Sequence, residues 1–194
     1  MNPILIDLPE SIETARLVLL APKAGLGQKL YETMVDGYED YVKWLAWPST
    51  CPDISTVELE CRKHQADFIL RSCIRYLILD KYTGEVIGRC AFPPAQANWN
   101  IPQFGISYFV RKSKRKHGFA TEAVRAMATL AFNNLSARKI EIFCDVENTA
   151  SIKIPLNLGF KLEYVQKGGW PRSDGALATL QAYSIFSIED LLDS

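Results

Sequence analysis

Between Phe104 and Asn134 the chain changes its period. Phe104 to Val110 is a β-rich run and Arg111 to His117 is basic; from Gly118 onward Ala120, Ala123, Val124, Met127, Leu130 and Ala131 recur at three- and four-residue steps. A strand that turns through a basic loop into an amphipathic helix is the strongest constraint in this sequence. It demands a sheet, a helix packed on it, and an open helix N-terminus at the turn. The first N–H groups of a helix have no internal partner and lie at the positive end of its dipole, while Gly118 and small Ala120 let a ligand approach the backbone. The junction suits a phosphate, with Arg115 and Lys116 adding charge; a solvated basic turn is the plainer alternative.

The distribution of charge agrees with the first reading. Lysine plus arginine and aspartate plus glutamate both number 22, but residues 61–139 hold 14 bases against 4 acids, peaking at Arg111, Lys112, Lys114, Arg115 and Lys116. The flanking segments are acidic. A short basic run inside an otherwise acidic chain argues against nucleic acid as the ligand. No apolar run reaches the 18 or so residues of a membrane span, and the start MNPILIDLPE has no basic segment ahead of its apolar residues, so no membrane is expected and the location is expected to be cytoplasmic. Five cysteines without a C-x-x-C motif suggest reduced thiols. Cys61 and His64 have no third soft ligand nearby, so no metal is expected.

The remaining pattern is mixed α/β. Arg16 to Leu20 reads as a strand, Gln28 to Val35 as a short helix leading into an aromatic stretch from Tyr38 to Trp47, and Thr56 to Arg71 as a helix with an imperfect apolar face. Ile74–Leu79 and Glu85–Phe92 form a hairpin about the Asp80 to Gly84 turn. Lys139–Cys144 is a strand, a short helix follows near 149–158, and strands lie around 160–165 and 177–186. The lack of a linker or repeat predicts one domain, 1–194, with a central twisted mixed sheet flanked by about four helices.

The junction lacks both G-x-x-x-x-G-K-[ST] and G-x-G-x-x-G. What it contains, Arg115-x-x-Gly118-x-Ala120 followed by Thr121-Glu122-Ala123, resembles the acyl-CoA pyrophosphate loop of the GNAT acetyltransferase superfamily. Three further stretches are similar to its RimJ/RimL-type branch: Thr14-Ala-Arg-Leu-Val-Leu19, Trp44-Leu-Ala-Trp-Pro48, and Glu147-Asn148-x-x-Ser151 with Leu158-Gly159-Phe160. The resemblance covers roughly residues 14 to 186. It implies acetyl-CoA as co-substrate, a protein N-terminus or small-molecule amine as acceptor partner, and direct transfer without an acyl-enzyme; a homodimer is a further arrangement.

For the site, the resemblance implies cofactor contacts from Tyr108, Phe109, Val110, Arg115, Lys116, His117, Gly118, Phe119, Ala120, Thr121, Asn148 and Ser151, with Ser151 and Tyr108 as catalytic candidates. Asn148 and Ser151 are equally good helix caps. Acceptor contacts are expected from Tyr41, Trp44, Trp47 and Trp170, the last on a mobile flap spanning Lys167 to Gly175; a packed aromatic cluster is the plainer reading. Gly118→Val is expected to block the ligand and leave the fold intact. Two departures stand out. Pro155 occupies the position where many members have a proton-donating tyrosine, and Ala178-Thr179 replaces an acidic or His-Asp pair ahead of Tyr183. They suggest an alternative: an acyl-CoA-binding sensor without turnover.

Overall fold

The computed structural model describes residues 2–45, 47–172 and 175–192. Its strands are β1 (Ser11–Glu13), β2 (Leu17–Leu20), β3 (Ile74–Asp80), β4 (Val86–Phe92), β5 (Ala97–Asn98), β6 (Gln103–Gly105), β7 (Ser107–Val110), β8 (Lys139–Asp145), β9 (Lys161–Pro171) and β10 (Leu177–Ile185). The helices are α1 (Gly27–Val35), α2 (Tyr38–Leu45), α3 (Ile54–Leu70), α4 (Phe119–Asn134) and α5 (Thr149–Asn157). The strands form two sheets, ordered β1-β2-β3-β4-β7 and β5-β6-β8-β10-β9. All pairings are antiparallel except β6 with β8.

The two sheets part within what reads as one strand. Residues 103–105 pair with 139–141 of β8, and the Ile106 N–H still reaches the Glu141 carbonyl at 2.8 Å. From Ser107 onward the chain pairs only with β4, so β7 and the rest of β8 diverge. The expected single strand 104–110 is therefore two, belonging to different sheets. Sequence shows the β-rich composition but not the partner, and pairing is what divides them.

Alternation along β7 sends successive side chains to opposite faces. One face carries the larger core, in which Tyr76, Ile78, Cys90 and Phe92 meet Val124, Met127 and Ala131 of α4. The other carries a smaller core of Leu30, Tyr41, Val57, Cys61, Leu77, Val86 and Phe109 beneath α1, α2 and α3. The 38–45 stretch, expected only as an aromatic segment, is a helix. Gly37 at φ 108° turns the chain out of α1, and Tyr38, Tyr41 and Leu45 then fall on one face at steps of three and four.

The hairpin turn forms as expected, with Asp80 Oδ1 accepting from the N–H groups of Tyr82 and Thr83. The expected flap does not. Residues 167–171 are the end of β9, and Arg172 is held by Asp145 at 2.8 Å and by Glu147 at 3.0 Å. These ion pairs tie the hairpin tip to the end of β8; Ser173 and Asp174 of the expected flap, and Ala46 of the tryptophan motif, lie outside the described residues. Among the described residues no helix is long and apolar enough to cross a membrane.

Candidate active site

The gap between β7 and β8 is lined by main-chain donors. The Arg111 N–H donates to the Ile87 carbonyl, so in the antiparallel ladder Phe109 and Ser107 also turn their polar groups to β4. Tyr108 and Val110 turn theirs the other way, toward the gap, in phase with Ile106. The Val110 carbonyl is taken by the Tyr41 hydroxyl at 3.0 Å and Arg115 Nε at 3.1 Å, while its N–H and that of Tyr108 face the opening.

At the end of β7 a basic loop leads to α4. Gly118 caps this helix with φ 79°, a left-handed conformation that favours glycine, and offers no capping side chain. The first intrahelical bond runs from Glu122 N to Gly118 O, leaving the N–H groups of Phe119, Ala120 and Thr121 without helical acceptors. Thr14 and Arg16 hold this end in place. The Thr14 hydroxyl donates to Glu122 at 2.6 Å, Arg16 pairs with Glu122 at 2.7 Å, and Arg16 Nη1 donates to the His117 carbonyl at 2.8 Å. The Arg16 guanidinium also lies 4.8 Å from the centre of the Phe119 ring. The threonine and arginine of the opening motif thus hold the helix start in place. A groove of about 820 Å³ runs along α4 from Gly118 to Asn134, with Pro9 and residues 12–16 as its other wall.

Most of the basic peak is spent inside the protein. Arg111 pairs with Asp36 and Glu85, Lys114 with Glu85, and Arg115 with Asp40 at 2.7 Å, its guanidinium 5.2 Å from the Tyr41 ring centre. Arg115, expected at the phosphate, is directed toward α2. Lys116, at φ 65°, and His117 remain exposed beside Gly118.

Across the gap, Asn148 caps α5, its side chain accepting from the Ser151 N–H at 3.1 Å. Asn148 is therefore the cap and Ser151 is not, and the serine hydroxyl is turned elsewhere. It lies 2.9 Å from the Tyr108 hydroxyl and 3.4 Å from Cys144 Sγ. Pro155 contributes to this arrangement. It lacks the N–H that would close a helical bond to the Ser151 carbonyl, and that carbonyl accepts from the Tyr108 hydroxyl at 3.3 Å instead. Burial pushes the Tyr108 phenol well above its ordinary pKa, with Cys144 adding to the shift and the Ser151 hydrogen bond opposing it. The group is a donor and not a base. Burial also pushes the Cys144 thiol up to about 11, and sequence reasoning gave no role to this cysteine beside Ser151.

On the opposite face, Tyr41, Trp47 and Phe109 form an aromatic cluster with ring centres 4.9–5.2 Å apart. Trp44 lies against Lys43, its neighbour, and Trp170 is 44% exposed on β9, so the structure brings together two of the four expected aromatic residues and not the others. Tyr183 is buried in the core and donates to Gln181 at 2.9 Å. Among the described residues no group of three or more metal-ligating side chains is assembled.

Parted sheets, inward-facing main-chain donors and an open helix N-terminus make up an acetyltransferase architecture. The chain belongs to the GNAT acetyltransferase family: the model of the acetyltransferase (GNAT) domain matches residues 16–161. It is 30% identical over 115 residues to the uncharacterized N-acetyltransferase p20 of Bacillus licheniformis, a match covering 59% of this chain and 63% of that protein. The fold is similar to that of the microcin C7 self-immunity acetyltransferase MccE in complex with acetyl-CoA and AMP, at TM-score 0.83 and 21% identity, covering 93% of this chain and 98% of that one. It is also similar to RimL, the ribosomal L7/L12 alpha-N-protein acetyltransferase in complex with coenzyme A, at TM-score 0.83 and 19% identity, covering 92% and 99%.

Proposed function

We propose that this chain, as a single cytoplasmic domain, transfers acetyl from acetyl-CoA to a primary amine by direct attack, an α-amine such as a protein N-terminus being the acceptor class. The observation that carries the reading is the Ser151–Tyr108 pair, 2.9 Å apart at the mouth of the gap, with the open N-terminus of α4 nearby. In this reading the first N–H groups of α4, with Gly118 and Lys116, hold the pyrophosphate. The N–H groups of Tyr108 and Val110 hold the pantetheine and the thioester oxygen as it becomes an oxyanion. The amine nitrogen bonds to the thioester carbon and the C–S bond breaks; the nitrogen gives up a proton to solvent. The sulfur receives one from the Ser151 hydroxyl, which regains it from solvent and is oriented by the Tyr108 hydroxyl.

By the resemblance, Ala178 and Thr179 occupy positions where related enzymes carry an acidic or His-Asp pair. An α-amine suits such a site. Its pKa of ~7.7–8.0, against ~10.4 for lysine, makes deprotonation at neutral pH roughly 3 kcal/mol less costly, so water suffices. That RimL carries the name of an alpha-N-protein acetyltransferase supports the same class.

Ser151→Ala decides between chemistry and packing. Loss of a proton donor acts in the transition state, so kcat should fall about 10²-fold while acetyl-CoA affinity barely changes. Steady-state release of CoA with an amine present, and calorimetry with acetyl-CoA, measure the two quantities. An unchanged kcat removes Ser151 from the mechanism, and tight CoA binding without turnover in the wild type establishes the sensor alternative.

A further inference from the structure

Six arginines, Arg16, Arg62, Arg75, Arg111, Arg115 and Arg172, each hold a carboxylate. Arg89 does not. It lies on β4 directly opposite Phe109 of β7 and Leu77 of β3, on the face covered by α2 and α3, and is only partly exposed. Its guanidinium lies 5.5 Å from the Phe109 ring centre and 6.0 Å from that of Trp47. Among the described residues it has no carboxylate within 4.0 Å and no hydrogen-bond acceptor.

Burial lowers the Arg89 pKa, and the carboxylate that opposes this, Glu60 of α3, acts from beyond ion-pair distance. Arg75 shares the face on the neighbouring strand, and burial together with Arg89 brings its pKa down to about 10, so Arg75 remains charged at neutral pH. Asp67 reaches Arg75 at 3.4 Å, and Arg75 otherwise donates to Cys73 Sγ. The Cys61 and Cys73 thiols, pushed by burial up to about 11, are neutral. The two guanidinium groups thus face Asp67, which reaches Arg75 alone, and Glu60, which is paired with Lys63. An unpaired charge removed from water is costly, and contact with two ring faces offsets only part of that cost.

We infer that Arg89, backed by Arg75 and flanked by Trp47 and Phe109, recognises a carboxylate or phosphate borne by the amine acceptor. The inference rests on the acetyl-transfer reading, with the amine on the face of Tyr41 and Trp47 that the family resemblance gives the acceptor. A planar guanidinium matches either anion bidentately, and the rings exclude water from the contact. Phe109 lies between the two residues whose N–H groups face the gap, and Arg89 is one strand further away. One strand spacing of about 4.8 Å plus the reach of the side chain sets the anion about 5–10 Å from the amine. The acceptor is thus an amine with an acidic group several bonds away.

The test uses short peptides with a free α-amine and an aspartate or glutamate at the second or third residue, their neutral side-chain amides, and the matching phosphoserine peptides. The wild type should favour one acidic series over the amides at least tenfold in kcat/KM, and the favoured series identifies the anion as carboxylate or phosphate. In Arg89→Met that ratio should collapse to within about twofold of one; Arg89→Lys should keep part of it. Melting temperature and acetyl-CoA affinity establish that the variants are folded. Calorimetry with the N-acetylated products provides a readout independent of turnover. Transfer with a wild-type ratio near one, or a ratio unchanged in Arg89→Met, overturns the inference and leaves the transfer reading standing. Binding of the N-acetylated acidic peptides that depends on Arg89 in a protein that acetylates nothing upholds the anion site and sinks the transfer reading. Neither binding nor transfer sinks both.

Discussion

Gly118 shows how far one residue can be read. Its place at the start of a helix after a basic loop was legible, and so was its use in close approach of a ligand. Its φ of 79° was not, and this corrects the expectation that Gly118→Val leaves the fold intact. A β-branched residue in the left-handed region costs at least 1–2 kcal/mol, and any Cβ here comes within 3.2 Å of Arg16 Nη2. Gly118→Asn is the cleaner probe, since asparagine tolerates this conformation. It should melt within a few degrees of wild type yet bind CoA at least tenfold more weakly, whereas Gly118→Val should lose melting temperature as well; calorimetry and thermal denaturation of the pair separate the effects. Ser151 shows the reverse limit. Its motif was visible, but its partner Tyr108 is 43 residues away and no local pattern connects them. The unpaired state of Arg89 was hidden for the same reason, because the absence of a neighbour is a property of the folded chain.

Elements are held in place by charges that the sequence assigned to a ligand. The basic loop after β7 is fastened to α1 and α2 chiefly through Asp36, which ends α1. Asp36 accepts from Arg111 Nε at 2.9 Å and from the backbone and hydroxyl of Ser113, while its carbonyl accepts from Lys112 N at 2.9 Å. Hydrogen bonding from Ser113 first, and from Arg111, holds the carboxyl down to about 2 against burial, which opposes the shift. A pKa depressed on folding gives stability that is fully present above the unfolded value near 4 and is lost as pH falls through about 2. After solvent screening this amounts to about 1–2 kcal/mol. Wild type should exceed Asp36→Asn by that margin at pH 6 in urea denaturation, and the difference should vanish toward pH 2; a pH-independent difference would remove Asp36 as the fastening. The net excess of bases in the central segment could not reveal this. Asp36 and Asp40 neutralise it from an earlier part of the chain, together with Glu85 of the segment itself. The 167–171 stretch misled in a similar way: its glycines suggested a loop, but pairing with β10 and the Arg172 ion pairs make it strand.

At the scale of the molecule, the alternation of strands and helices was legible and the parting of the sheets was not, because the change of partner at Ile106 leaves the local β pattern intact. That parting leaves main-chain groups of β7 open to a ligand that continues the ladder, so CoA should stabilise the whole chain. At a hundred times its Kd a ligand adds about 2.7 kcal/mol, which for a chain of this length raises Tm by roughly 5–10 °C. Thermal denaturation with and without CoA measures this, and amide exchange should slow at Tyr108 and Val110; an unmoved Tm would argue against the gap as the binding place. The opposite orientations of Tyr108 and Phe109 have a kinetic consequence. On the proposed reading CoA lies toward α4 and α5 on one face and the acceptor toward α2 and α3 on the other, so neither should obstruct the entry or exit of its companion. Binding order is then unconstrained. A single molecule threaded from one face to the other, phosphates at one end and an acidic group at the other, engages both halves at once, the second at an effective concentration on the order of millimolar, and can exceed the affinity of either half alone by about 10²–10⁴.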